Sequence, residues 1–131
     1  MVMSNFELMK NILYILLSLS LFGCMPKSSS YTSNVSVQEA KELINSIPDL
    51  QIVDVRTPEE WNQGAIHNAI KLNVKDADFS DKISKLSKNT PTLVYCKKGG
   101  RSAKATLIME ELGFTHLHNL LGGYDKYSTT K

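Results

Sequence analysis

From Asn34 onward the apolar positions fall alternately into short β-branched runs and longer helical stripes. Asn34-Val35 closes a short first strand, and Ser36 with Glu39 three residues on forms a capping box that opens a helix. Its apolar positions Val37, Ala40, Ile44 and Ile47 keep helical spacing until Pro48 stops it. Gln51 to Val55 (QIVDV) predicts a buried strand, and Thr57-Pro58-Glu59-Glu60 joins an N-cap, proline at the first helical position and glutamate at the third. That short helix carries Trp61 and ends at Gly64. Ala69 to Val74 predicts a third strand, and Asp78 to Ser87 a helix with Phe79, Ile83 and Leu86 on one side and Asp78 as its cap. Thr92 to Tyr95 is a fourth strand. The helix after it begins near Ser102, with Ala105, Ile108, Met109 and Leu112 on one apolar face and Gly113 just past its end. Thr115 to Leu120 predicts a last strand before Gly122-Gly123 and a short segment around Tyr124 to Tyr127. Strands and helices in alternation imply an α/β fold: a three-layer arrangement with a five-stranded, mostly parallel sheet and helices on both faces. In such sheets ligands bind at the carboxyl ends of the strands, where Cys96 falls.

The segment before Asn34 follows a different pattern. Ile12 to Phe22 is an apolar run of 11 residues, too short to span a bilayer and of the length of a signal-peptide core. Starting translation at Met9 gives a compact basic lead-in, whereas from Met1 Glu7 offsets Lys10. Leu21-Phe22-Gly23-Cys24 resembles a bacterial lipobox, in which the cysteine is lipidated and becomes the mature N-terminus. The expected division is a signal peptide at 1–23, a lipidated end and Ser-rich flexible tether at 24–33, and one domain at 34–131. The protein is then exported and held to a membrane by lipid on Cys24, facing the periplasm or the cell exterior.

The whole chain has 131 residues, 42% of them hydrophobic, which suits one domain with one core. A net charge of +2 without a basic run argues against nucleic-acid binding. Cys24 and Cys96 are the only cysteines, and no Cys/His cluster has zinc-ligand spacing, so no metal and no cofactor is expected. Local charge is more informative. Lys97, Lys98, Arg101 and Lys104 gather around Cys96 and favour a small anionic substrate.

Cys96 stands between a buried strand and a helix start, with Gly99 and Gly100 in the turn. Backbone N–H groups converging there, the helix dipole and Arg101 all lower a thiol's pKa, so a thiolate forms without a general base. A lone cysteine at a strand end is usually a small buried hydrophobe. Two glycines, nearby cations and a helix start argue for a reacting one. His67, His116 and His118 lie elsewhere and read as loop or strand residues.

These residues resemble the rhodanese (thiosulfate sulfurtransferase) homology domain in its single-domain form, from Asn34 to the C-terminus. The family's Cys-x-x-Gly-x-Arg-Ser pattern is met by Cys96, Gly99, Arg101 and Ser102, its Asp-x-Arg by Asp54 and Arg56, its acidic-aromatic-x-x-Gly by Glu60, Trp61 and Gly64, and its Gly-Gly by Gly122 and Gly123. It departs from the pattern at Ala65, Asn68-Ala69 and Tyr127. The resemblance implies a rhodanese-like fold and transfer of sulfane sulfur from a small anionic donor, such as thiosulfate, to cyanide or a thiol through a Cys96 persulfide. Cys96 and Arg101 would be catalytic, with Lys97, Lys98, Gly99, Gly100 and Ser102 forming the substrate-binding loop. Asp54, Arg56 and Glu60 would brace it as one ionic cluster. Related phosphatases enclose phosphate with one residue more between Cys and Arg, so phosphatase or arsenate reductase activity is disfavoured. A noncatalytic sulfur-carrier or docking module is the other reading. With Cys24 lipidated, Cys96 lacks an intrachain partner, and a thiol acceptor or thiol-delivering protein is expected to serve a monomeric domain.

Overall fold

The computed structural model describes residues 4–19 and 29–131. In chain order its elements are α1 (Asn5–Leu19), β1 (Tyr31–Val35), α2 (Val37–Ser46), β2 (Gln51–Asp54), α3 (Pro58–Trp61), β3 (Ile70–Lys71), α4 (Phe79–Ile83), β4 (Thr92–Tyr95), α5 (Gly100–Glu111), β5 (His116–Leu120) and α6 (Gly123–Thr129). The five strands form one sheet in the order β1-β5-β4-β2-β3, and every pairing is parallel. Parallel neighbours need crossovers, and the helices between successive strands supply them on both faces.

β4 lies at the centre and is buried along its whole length. Side chains alternate across a strand, so Leu93 and Tyr95 enter the core beneath α2 and α6, with Ala40, Ile52 and Leu120. Val94 and Cys96 enter the opposite core beneath α4 and α5, with Val53, Ile83, Ala105 and Met109. The same parity puts Asp54 on the Tyr95 side, where the Tyr95 hydroxyl donates to Asp54 Oδ2 at 2.7 Å.

The predicted caps and turns recur with some changes of extent. Ser36 Oγ accepts the Glu39 N–H at 3.2 Å while Glu39 accepts the Ser36 N–H at 2.7 Å, closing the capping box. β1 starts at Tyr31, so Tyr31 to Ser33, assigned to the tether by composition, instead pair with His116 to His118. Local composition carries no information about a partner strand 85 positions away, the separation of Ser33 and His118. β3 is an edge strand of only 2 residues, although the Leu72 and Val74 N–H groups still reach the Asp54 and Val55 carbonyls. α4 ends at Ile83, and Asp78 pairs with Lys82 rather than capping. α5 begins at Gly100, and α6 is a helix where only a short segment is predicted.

α1 covers much of the apolar N-terminal run, and its Phe6, Leu8, Met9 and Ile12 are exposed. Among the described residues no helix is long and apolar enough to cross a membrane. The lipobox with Cys24 lies outside the described residues.

Candidate active site

β4 delivers Cys96 to the carboxyl end of the sheet, where the residue is only 1% exposed. The chain then turns through Gly99, whose φ of 109° is a conformation side-chain-bearing residues rarely adopt, and enters α5 at Gly100. The Gly99 N–H donates to Cys96 Sγ at 3.0 Å, and Ser102 Oγ lies 3.4 Å from the sulfur. Burial pushes the Cys96 thiol up. The Ser102 hydroxyl and the N–H groups of Ser102, Gly99 and Lys98 outweigh it and bring the pKa below its ordinary value. A bowl of about 290 Å³ opens above, lined by Cys96, Lys97, Lys98, Gly100 and Arg101.

The loop is fastened from beneath by α6. The Tyr124 N–H donates to the Cys96 carbonyl at 2.8 Å and the Asp125 N–H to the Lys97 carbonyl at 3.1 Å. Gly123 makes this approach possible: a Cβ there would stand 2.4 Å from the Lys97 carbonyl carbon and oxygen and 2.6 Å from the Cys96 oxygen. Gly100 differs, since an added Cβ would meet nothing within 4 Å. Its absence of a side chain serves the open bowl rather than the fold.

The expected ionic cluster resolves into two pairs. Arg101 grips Glu60 with both Nη atoms at 2.8 Å, and this guanidinium, outweighing the effect of burial, draws the Glu60 carboxyl down to about 2. Glu60 thus braces the loop directly, and the Arg101 charge at the mouth is already balanced. Arg56 and Asp54 form a second, buried pair at 2.7 Å, and Arg56 also donates to the Gly64 carbonyl at 2.6 Å and lies 4.3 Å from the Tyr124 ring centre. Lys97 stands 4.0 Å from Asp125, and Lys98 and Lys104 are exposed.

Asn119 and Asn34 are site residues that sequence reasoning missed. The Ser102 hydroxyl donates to Asn119 Oδ1 at 2.6 Å, and the Asn119 amide donates to Asn34 Oδ1 at 3.0 Å. The available signal was parity: Asn119 shares the inward face of β5 with Leu117, a position where an apolar residue is the norm. His118 bonds Ser33 and His116 bonds Thr115, while His67 is exposed. Among the described residues no group of three or more His, Cys, Asp or Glu is placed to hold a metal ion.

The chain matches the rhodanese-like domain family over residues 36–130. It is 33% identical to thiosulfate sulfurtransferase 16, chloroplastic, of Arabidopsis thaliana, over 79% of this chain and 93% of that protein. Among solved structures it resembles a rhodanese-like domain protein from Staphylococcus aureus, at 30% identity and TM-score 0.65, covering 72% of this chain and 90% of the other. It also resembles the human single-domain sulfurtransferase TSTD1, at 26% identity and TM-score 0.62, covering 75% and 96%.

The two glycines facing the loop should respond oppositely to alanine. Gly123→Ala is expected to lose at least ~2 kcal/mol in urea unfolding, because a strained φ is combined with backbone overlap. Gly100→Ala should be unchanged or gain up to ~1 kcal/mol. Equal responses would refute the bracing role of Gly123. The Cys96 thiolate should form below the ~8.5 of a free cysteine, read as the pH midpoint of iodoacetamide alkylation. Because Ser102 favours the charged form, Ser102→Ala should move that midpoint up, and a downward move would contradict the assignment.

Proposed function

Since the chain belongs to the rhodanese-like domain family, we propose that it is a sulfurtransferase carrying sulfane sulfur from thiosulfate or a similar anionic donor to a thiol or cyanide through a persulfide on Cys96. The observation that carries this reading is the donor set on Cys96 Sγ, a buried sulfur met by backbone N–H groups, with the Ser102 hydroxyl 3.4 Å away to turn toward a thiolate and no base beside it among the described residues. Such a set stabilises a thiolate nucleophile and, later, the anionic end of a persulfide in the same place.

In the first step the Cys96 thiolate attacks the outer sulfur of the donor. The donor's S–S bond breaks, and sulfite departs with the bonding pair. In the second, an acceptor nucleophile attacks the outer sulfur of the persulfide, and Cys96 leaves as thiolate. Lys97 and Lys98 draw the anionic donor to the bowl. Arg101, clamped by Glu60, holds the first turn of α5 in place and forms part of the wall. Ser102 is kept against the sulfur by Asn119.

We also propose that Cys24 is lipidated and that the domain works outside the cytoplasm on the short stretch from Cys24 to Tyr31. This rests on the apolar run and the lipobox-like residues before Cys24. An exported cysteine without an intrachain partner suits a protein that receives and passes on sulfur through thiols.

Incubated with thiosulfate and weighed intact, the wild type should gain the mass of one sulfur atom and lose it on adding cyanide, while Cys96→Ser should gain nothing. An unmodified wild type, or equal gain in the variant, would refute catalysis and leave a docking module. Aryl phosphate hydrolysis that depends on Cys96 would point to a phosphatase instead. For the anchor, the full chain should partition into detergent and Cys24→Ala should not; membrane retention of the variant would count against lipidation.

A further inference from the structure

Ser102 Oγ carries one hydrogen and lies among three acceptors. Asn119 Oδ1 is at 2.6 Å, the Gly99 carbonyl at 3.0 Å and Cys96 Sγ at 3.4 Å, so the shortest contact is to Asn119 and the longest to the sulfur. The three do not need that hydrogen equally. The Gly99 carbonyl already accepts the Ala103 N–H at 3.2 Å. Asn119 is 3% exposed, and the described residues offer its Oδ1 no other donor. Turning the hydroxyl to the sulfur therefore strands a buried amide oxygen, which opposes the turn.

The amide facing Ser102 is fixed in its own turn. An asparagine can present either its oxygen or its NH2 group. An NH2 here would donate to Ser102 Oγ and release the hydroxyl hydrogen toward the sulfur. Asn34 decides between the two: its Oδ1 accepts from Asn119 Nδ2 at 3.0 Å, across the β1–β5 pairing in which these residues are register partners. Asn34 is exposed on the edge strand. One line of amides and a hydroxyl thus runs from the edge of the sheet to a sulfur that is almost wholly buried.

We propose that Asn119 and Asn34 are positioning residues that hold the Ser102 hydrogen back from Cys96 Sγ while the sulfur is uncharged and yield it only as negative charge builds there. Asn119 then restrains ionisation, the opposite of what a plain support for Ser102 would do. This rests on the sulfurtransferase reading for its place in the reaction. On ionisation the thiol proton passes to solvent, and Ser102 turns to the thiolate. When the thiolate bonds to the donor's outer sulfur and sulfite departs with the pair from the broken S–S bond, Sγ becomes neutral and the hydrogen returns to Asn119. When an acceptor nucleophile bonds to that outer sulfur, the pair of its bond to Sγ passes to Cys96, and the hydrogen turns back. No outside oxidant or reductant is needed. The restraint also keeps the thiolate basic, and a more basic thiolate attacks sulfur faster.

The charged groups around the sulfur are the same in wild type and variants: Lys97 and Lys98 of the loop, Arg101 of α5 with Glu60 of α3, Asp125 of α6 beside Lys97, and Arg56 with Asp54 at the end of β2. α4 meets the Cys96 core through Phe79 and Ile83. The readout is the pH midpoint of iodoacetamide alkylation in the full chain, followed on the Cys96 peptide by mass spectrometry. Asn119→Leu, close to asparagine in shape, should move the midpoint down and raise the ionisation constant about three- to tenfold, the effect of one net hydrogen bond. Asn34→Ala, at an exposed position, should move it the same way. In a Ser102→Ala background, Asn119→Leu should leave the midpoint where Ser102→Ala puts it. Either single variant moving the midpoint up or leaving it unchanged, or a shift that persists without Ser102, would overturn the assignment. Above both midpoints, thiosulfate loading of Asn119→Leu should slow about two- to threefold as the thiolate becomes less basic. Alkylation needs no sulfur transfer. Shifted midpoints in a protein that never takes up sulfur would sustain the positioning residues and refute the transferase, and robust transfer with unshifted midpoints would do the reverse.

Discussion

The direction of one peptide group governs the chemistry available here. The Lys97 carbonyl accepts the Asp125 N–H from α6, so the N–H on the other end of that trans peptide, that of Lys98, is turned the opposite way, toward the sulfur. The Cys96 carbonyl is held likewise by Tyr124. Because α6 takes the carbonyl side of the loop, the N–H side is free to surround Cys96. Gly123 is where the two backbones come closest, and a methyl group there would displace the loop from its anchor.

That arrangement explains how a nearly inaccessible cysteine can be ionised. Burial opposes a thiolate, and a cation within the core would introduce its own desolvation penalty. Neutral donors avoid the second penalty: backbone N–H groups carry partial charge that is already oriented, and the Ser102 hydroxyl has only to turn its hydrogen from Asn119 to the sulfur. Full charges are largely compensated, Arg101 by Glu60 at the rim and the buried Arg56 by Asp54. The exposed Lys97 and Lys98 leave positive charge at the mouth of the bowl.

Two polar networks meet the loop from opposite faces of the sheet. On the α5 face Asn34 holds Asn119, which holds Ser102 beside the sulfur. On the other, Tyr95, Asp54 and Arg56 are locked together under Tyr124. Each joins strands separated in sequence, so the site's geometry depends on sheet register: Asn34 lies opposite Asn119, and Asp54 opposite Tyr95.

Much of this was legible in local sequence, because its causes are local. Helix starts at Ser36 and Thr57 follow from side chains meeting amides three residues away, strand runs from buried β-branched residues, and the position of Cys96 from the strand–turn–helix pattern around it. Spacing also marked Arg101 and Ser102 as belonging to the loop. Other features depended on contacts between distant segments. Tyr31 joins a strand only because His116 is beside it, α6 acts as the loop's anchor only because Gly123 reaches Lys97, and Glu60 meets Arg101 rather than Arg56. The sequence alone thus determined the fold class and the place of Cys96 between strand and helix, through short-range hydrogen bonding and hydrophobic periodicity. Only the tertiary structure decided which charge pairs with which and which way the loop's peptide groups point, because both are set by backbone and side-chain partners that chain order does not make neighbours.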